Sequence, residues 1–422
     1  MPLLHFVSLI LIAVLAIIIP TNNLSAAAFA TYSHSASALA NSYAGSTAGA
    51  HDISDSFENP ANLANIDSRQ LIISAAYLDV DIDPDNVHGT YGNNSTATGT
   101  EENNAGVNAL IPAFFFALPV NDKLSLGINT TVPFGLETKY DKSWVGRYHA
   151  IESKIQTANI NPAFSYSFNN KLSVGAGLQF QYIQGVLTKM VDANGSGTSD
   201  AFGKAKGDDW GYGYNFGLKY KINPKLKIGL GYRSKIEHKI EGKTEVAALN
   251  MSSHFLLPLT TPEILTLGIN YKINNKFELL YDTSWTRWSR IKNMSLTATE
   301  NSSLNESSIL NWQDSFKYSL GLNYRLNQKL LLRSGTAYEQ RAVDKYRRPS
   351  VPSGDRIWAS LGFEYKFKPG MKIDLAYLHQ FHSKVSSNLE KKSITQAIDV
   401  GSLSADYKNS LNTFAIGFGW EF

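Results

Sequence analysis

The chain has no cysteine, which excludes a disulfide scaffold, a thiol nucleophile and a cysteine-ligated zinc or iron–sulfur centre. Charge is also scarce. Asp, Glu, Lys and Arg make up 18% of 422 residues, below the roughly 25% of an average soluble domain. The net charge is only +3, and no Lys/Arg run could track phosphates, so a nucleic-acid partner is excluded. Beyond the N-terminus no uncharged apolar stretch reaches the about 20 residues of a membrane helix. The longest, residues 108–120, is broken by Pro112 and Pro119. A G-x-S-x-G elbow is missing, and no Gly-x-Gly tract opens a helix, so hydrolase and dinucleotide readings lack their motifs. No cofactor or metal is expected. What is plentiful is Tyr, Phe and Gly, with 21, 21 and 31 residues. This composition suits many short strands.

The first residues read as an export signal. Phe6 to Ile19 is almost wholly apolar, Pro20 breaks the run, and Ser25-Ala26-Ala27 offers small residues for cleavage. Residues 1–27 are therefore assigned as a signal peptide, although only His5 stands where Lys or Arg is usual. The mature chain is placed near Ala28.

After the signal the sequence is periodic on two scales. Leu172, Val174, Ala176, Leu178, Phe180 and Tyr182 alternate with Ser173, Gly175, Gly177, Gln179 and Gln181. Tyr212 to Tyr220 and Leu226 to Tyr232 repeat the pattern, which belongs to strands with one apolar face. About every fifty residues a short turn returns in nearly the same wording: Asn121-Asp122-Lys123, Asn169-Asn170-Lys171, Asn223-Pro224-Lys225, Asn274-Asn275-Lys276, Asn327-Gln328-Lys329 and Lys368-Pro369-Gly370. Asn and Gly tolerate positive φ and Pro pre-sets a turn angle, so each reads as a hairpin. Longer polar connections lie near 82–104, 135–152, 188–209, 238–261, 291–313, 339–354 and 381–406.

Six short turns and seven long loops join fourteen strands. Short turns on one side, long loops on the other and an even strand count describe an all-β, 14-stranded antiparallel transmembrane barrel of a bacterial outer membrane. The barrel is assigned to residues 69–422. Its apolar alternates face lipid, while Gly, Asn, Gln, Ser and Lys face a wet lumen. Tyr166, Phe168, Tyr220, Tyr271, Tyr324, Tyr365 and Phe367 lie beside the short turns as an aromatic girdle. The chain ends on Phe418, Trp420 and Phe422 along one face. Fourteen strands enclose a lumen too wide for wall side chains to fill. Residues 28–68 are the only unassigned stretch, and they are expected to plug it as an N-terminal hatch.

Particular residues carry a resemblance. Ser35 to Leu63, with Phe57-Glu58-Asn59-Pro60-Ala61-Asn62-Leu63, resembles the N-terminal hatch of FadL-type outer-membrane transporters of long-chain fatty acids. The similarity continues through Trp144-Val145-Gly146-Arg147-Tyr148, Trp285-Thr286-Arg287-Trp288 and Val351-Pro352-Ser353-Gly354-Asp355-Arg356. A sister branch, similar to TodX, carries aromatic hydrocarbons. The resemblance implies capture of a hydrophobic ligand among the outer loops, a hatch shift, and lateral exit at a kinked third strand. Here Pro133-Phe134-Gly135 would supply the kink, because proline cannot donate a ladder bond and glycine marks bulges. No other Pro/Gly interruption is followed by more strand-like alternation. Asn59, with Pro60 and Ala61, is the hatch element expected against that kink. Family positions that meet the carboxylate fall on Gln184 and Gln313, which carry no charge. Lys189, Arg233 or Lys317 could substitute, or the ligand could be a neutral hydrocarbon.

Other groupings weigh less. Asp79, Asp81, Asp83 and Asp85 share one strand face and read as a solvated acidic end rather than a cation site. His379 and His382 cannot share a strand face. Lys345, Arg347 and Arg348 are charged loop residues within reach of lipid phosphates. The expected partners are a hydrophobic small molecule, outer-membrane lipid and lipopolysaccharide, with the barrel monomeric. A general aqueous porin is the alternative function.

Overall fold

The computed structural model describes residues 29–64, 66–390, 394–396 and 400–422. The assigned signal peptide and the start near Ala28 lie outside them. Fourteen wall strands follow in chain order: Gln70–Gly89, Ala109–Pro119, Leu124–Thr131 with Gly135–Lys139, Glu152–Ser167, Leu172–Asp192, Asp200–Asn223, Leu226–Arg233 with Ile236–Val246, Met251–Thr261 with Ile264–Lys272, Phe277–Thr286, Ser315–Arg325, Leu330–Glu339, Arg356–Lys368, Met371–His382 with Val385–Leu389, and Leu403–Glu421. Each pairs antiparallel with its neighbour. The last strand returns to the first from Gln70↔Glu421 to Gly89↔Leu403, so the sheet closes. Closure leaves neither the first nor the last strand as a free edge in lipid.

The short turns have a cause that positive φ does not supply. In five of them the leading Asn side chain accepts from the two backbone amides that follow. Asn121 Oδ1, for example, takes Lys123 N and Leu124 N at 2.9 Å each. Asn169, Asn223, Asn274 and Asn327 repeat this. These are Asx turns. Only the sixth uses a left-handed residue, Gly370 at φ 71°.

The wall alternates as the sequence requires. On the sixth strand Tyr212 is 68% exposed while Asn215 is buried. Ring pairs such as Tyr166–Phe168 and Phe277–Tyr324 line the short-turn rim. On the opposite side the ladders run further than the sequence suggested. The region expected as loop 188–209 is mostly ladder, turning between Asp192 and Asp200. Within 238–261 the ladder continues to Val246↔Met251. Short strands Asn293–Ala298, Glu306–Ile309 and Ile394–Gln396 pair with one another in the outer loops.

Four strands are interrupted, not one. Besides 132–134 in the third, breaks fall at Ser234-Lys235 in the seventh, Pro262-Glu263 in the eighth and Ser383-Lys384 in the thirteenth. Two of these part neighbouring strands. The second and third separate between rungs Phe114↔Thr130 and Gly106↔Thr138. The sixth and seventh separate between Asn215↔Arg233 and Asp208↔Glu241.

Inside the barrel, residues preceding Gln70 form a hatch of tight turns: a helical turn Ala36–Leu39 capped by Ser35, and two 3-10 turns, Ile53–Ser56 and Pro60–Leu63. Leu39, Tyr43, Ala44 and Leu63 are almost fully buried. The inward glycines that suggested a wet lumen instead receive this backbone. A Cβ at Gly175 would strike Pro60, one at Gly217 would strike Asn59, one at Gly229 Thr47 and one at Gly335 Asn41.

Candidate functional site

The third strand leaves the wall at Val132. Phe134 turns inward to 2% exposure, and Thr157 of the fourth strand takes up its backbone: Phe134 N donates to Thr157 Oγ1 at 3.0 Å, and Thr157 N donates to Phe134 O at 3.0 Å. On the other side, residues 107–113 of the second strand face no ladder partner from the third. Pro112 sits in this stretch, where a missing N–H costs no ladder bond.

The inner side of the break is covered by the first described residues. Thr31 N donates to Pro133 O at 3.0 Å, Gly135 N donates to Phe29 O at 2.7 Å, and Ala30 pairs with Phe134. Phe29–Thr31 thus lies along the kink, held by backbone bonds on either side of a single bridge. Its Phe29 ring packs on Phe134 (5.6 Å between centroids), Trp288 (4.8 Å) and Trp312 (5.6 Å). These four rings belong to one apolar cluster with Ile183, Ala205, Ile240, Leu257 and Leu296.

That cluster leads outward to a cavity of about 120 Å³ among the outer loops, lined by Leu187, Val191, Val246, Met251 and Met294 together with Lys189, Glu306 and Arg348. Lys189 Nζ is 2.5 Å from Glu306. Burial pushes the Arg348 guanidinium down to about 10, partly offset by Glu306. Inward, a cavity of about 30 Å³ lies between the hatch and the kink, bordered by Tyr32, Tyr43, Phe57, Glu58, Pro133 and Lys317. Lys317 is 4% exposed. Its ammonium sits over the rings of Tyr32 (3.7 Å), Trp358 (4.9 Å) and Tyr43 (5.2 Å), an arrangement that stabilises a desolvated cation.

Charges also fasten the hatch to the wall. Arg233 stacks on Phe57 at 3.9 Å and donates to Phe57 O at 2.7 Å and to Gln179. Glu58 lies 4.0 Å from His34. Burial lowers the His34 imidazole to about 3, aided by Arg233 and Lys317, so it docks neutral. Burial raises Glu58, against the pull of Lys317 and Arg233. At the short-turn end Lys372 spans Asp52 (2.7 Å), Asp374 (2.9 Å) and Glu364 (3.2 Å). Burial alone would raise Asp52, but Lys372 and Ser54 hold it well below the usual carboxylate range.

The family description "Outer membrane protein transport protein (OMPP1/FadL/TodX)" matches residues 17–422. The chain belongs to the FadL/TodX family. Among its relatives, outer membrane protein P1 of Haemophilus influenzae is 28% identical over 88% of this chain and 89% of its own. A long-chain fatty acid transport protein of Escherichia coli is 25% identical, covering 84% of this chain and 87% of that one. A FadL homologue from Pseudomonas aeruginosa superposes with a TM-score of 0.86 at 24% identity, over 94% of this chain and all of that one. The protein is thus an outer-membrane barrel of a family of hydrophobic-molecule transporters.

In this FadL/TodX-family barrel the residues singled out from sequence scatter. Lys317, Pro133 and Phe134 lie together around the kink, and Lys189 lines the outer cavity. Asn59 is not against the kink. Its amide donates to Thr47 O (2.8 Å) and to Leu218 O of the sixth strand (3.0 Å) while its oxygen caps Ala61 N. Pro60 and Ala61 continue that turn over Gly175. Gln184 falls on the outward face beside Tyr182, whose hydroxyl it meets at 3.3 Å, because strand alternation puts odd positions inside there. Gln313 is exposed ahead of the tenth strand. Neither amide reaches the lumen. Arg347 points inward, donating to Val343 O, Ser353 O and Ser386 O, so it is not poised over lipid. Asp85 pairs with Lys408 and Asp79 accepts from Asn412 on the outer face. His379 and His382 fall on opposite faces of the thirteenth strand by its alternation. Phe29–Thr31 left no signal in the sequence, since three residues are too few for a pattern. Trp288 was visible only as part of the matched stretch Trp285-Thr286-Arg287-Trp288, and Trp312 was not singled out.

Proposed function

We propose that this protein takes up long-chain fatty acids, which enter the outer-loop cavity, pass along the aromatic cluster and leave sideways into the membrane where the third strand is broken. One observation carries the reading. An apolar route runs from a chamber holding Lys189 and Arg348 to a wall break closed from within by Phe29–Thr31, with the Lys317 ammonium beside its inner end. An apolar tail kept out of water is stabilised by roughly 25 cal/mol per Å², which favours lateral exit over passage into the aqueous periplasm. A buried ammonium supplies a charge-assisted partner for a carboxylate. The hatch acts as the gate: Arg233 and the turn Asn59-Pro60-Ala61 hold it, and displacement of Phe29 opens the way. The relative from Escherichia coli named for long-chain fatty acid transport supports this substrate class.

A neutral aromatic hydrocarbon is the second reading, favoured by the four rings at the kink. The test is to straighten the third strand with Pro133→Val and Gly135→Ser, which restores the N–H that Pro133 lacks and removes the flexible glycine beside it. Uptake of labelled palmitate should fall at least about tenfold, the loss of one 1.4 kcal/mol step, with heat-modifiable gel mobility unchanged. Uptake at the unmodified rate by a properly assembled variant sinks the lateral route.

A further inference from the structure

At the lower edge of the wall break, buried polar atoms stand without a protein partner. Asn159 is 0% exposed, and neither its side-chain oxygen nor its nitrogen meets a hydrogen-bonding group among the described residues. Thr131 Oγ1 and Asn129 Oδ1 are in the same condition. The ladder brings the three together, since Thr131 stands opposite Asn159 and Asn129 opposite Asn161. All are buried on the inward face, where side chains of facing residues lie about 5 Å apart.

The surrounding rungs are satisfied. One step above, Thr157 Oγ1 donates to Phe134 O at 2.7 Å. One step below, Asn161 Nδ2 donates to Leu178 O at 2.6 Å, taking the place of the amide that Pro162 lacks, and its Oδ1 accepts from Asn215 at 3.0 Å. On these two strands, unspent polar capacity at the foot of the opening falls on Asn129, Thr131 and Asn159, between rungs that are satisfied. Buried polar groups in native proteins almost always find protein, water or ligand partners. In the hatch, Ser33 Oγ, two residues beyond the Thr31 that bonds Pro133, is likewise buried without a partner among the described residues.

We propose that Asn159, Thr131 and Asn129 form a polar sill that takes the carboxyl head group of the ligand as it crosses the wall, and so determine whether acids or hydrocarbons pass efficiently. This deepens the lateral-transport reading and rests on it. A head group leaving Lys317 for lipid would otherwise cross an apolar gap with its hydrogen-bonding groups bare, which is strongly unfavourable. The Asn159 amide and the Thr131 hydroxyl can donate to a carboxylate. The Asn129 and Asn159 oxygens can accept from a protonated acid. A hydrocarbon needs none of them.

The experiment compares uptake of palmitate and hexadecane, probes of one chain length with and without a head group, by cells producing the wild-type protein, Thr131→Val, or Thr131→Val with Asn159→Leu. Threonine to valine keeps the shape, so it carries the test if the double variant assembles poorly on heat-modifiable gels. Palmitate uptake should fall about fivefold for Thr131→Val, as expected for one hydrogen bond, and further for the double variant, with hexadecane uptake unchanged or raised. Equal loss of both probes, or no loss of either, overturns the sill. If hexadecane and palmitate are both refused by the wild-type protein, the transport reading falls and takes the sill with it.

Discussion

The wall partings at the interrupted third and seventh strands are of similar length, and the two are sealed by different means. Between the sixth and seventh strands the seal belongs to the wall. Ser234 N donates to Tyr214 O and Tyr214 N donates to Ser234 Oγ, each at 2.9 Å, while the Asp209 carboxylate accepts from Lys239 N at 3.0 Å and sits 3.2 Å from His238 Nδ1. Between the second and third strands the inner cover comes from elsewhere in the chain, through the backbone of Phe29–Thr31. A seal made by the strands themselves can open only if the barrel unfolds locally. A seal made by a separate segment can leave while the barrel stays whole. The difference separates a fixed irregularity from a door.

The largest effect that can break this comparison is removal of the door's cover together with its support. A chain lacking residues 28–66 should still insert, because wall hydrogen bonds close without it, and should conduct ions steadily in planar bilayers. Conductance as low as that of the whole protein would mean the hatch does not block the lumen. Next comes a lock. The chain is free of cysteine, and Ala30 and Phe134 are ladder partners, a spacing within the range for a disulfide. Ala30→Cys with Phe134→Cys should abolish palmitate uptake when oxidised and recover it on reduction. Tyr214→Cys with Ser234→Cys, placed across the other parting, should leave uptake unchanged in both states. Equal effects from both pairs would erase the distinction drawn above.

The smallest expected effect concerns pH. His34 docks with its imidazole lowered to about 3 by burial, with Arg233 and Lys317 adding to this. Its undocked value is near the ordinary 6.5. The undocked state therefore binds the extra proton first, so hatch docking is strongest above pH 6.5 and weakens as pH falls toward 3, an effect reduced by the opposite shift of Glu58. Limited proteolysis of the hatch across that range should show faster cleavage at low pH, and His34→Phe should flatten the dependence. A cleavage rate insensitive to pH in the unmodified protein would show that His34 keeps its ordinary value when docked.

The barrel was legible in the sequence because lipid enforces alternation. Leu178, Phe180 and Tyr182 must point out, and Gly175, Gln179 and Gln181 are left to point in. The signal fades where the ladder rises above the membrane. Lys204, Lys206, Glu241 and Lys243 still pair in register, but with water outside nothing demands an apolar face, so they read as loop. The inward glycines misled in another way. A small residue facing a lumen looks the same whether it borders water or a plug, and only the position of the hatch backbone distinguishes the two. Asn59 was expected against the kink of the third strand, yet its partner lay on the sixth. Local sequence sets the turn but not which of fourteen walls it meets. Arg233 and Lys317 are buried on the inner faces of their strands, whereas Gln184 lies on an outer face and Gln313 precedes its strand, and such placement is hardly visible to composition.

The close fit between hatch and glycine belt also constrains how the molecule can be built. Thr47, Asn41 and Pro60 occupy space that a single added carbon would contest, so a finished cylinder offers no clearance for threading the hatch in afterwards. The hatch precedes every strand in the chain, whereas the first and fourteenth strands, which form the long seam from Gln70↔Glu421 to Gly89↔Leu403, are the most distant in sequence and so the slowest to find each other. That order suits the geometry. A wall that closes on a plug already in place, as a mould closes around its core, is the sequence of events this fit accommodates.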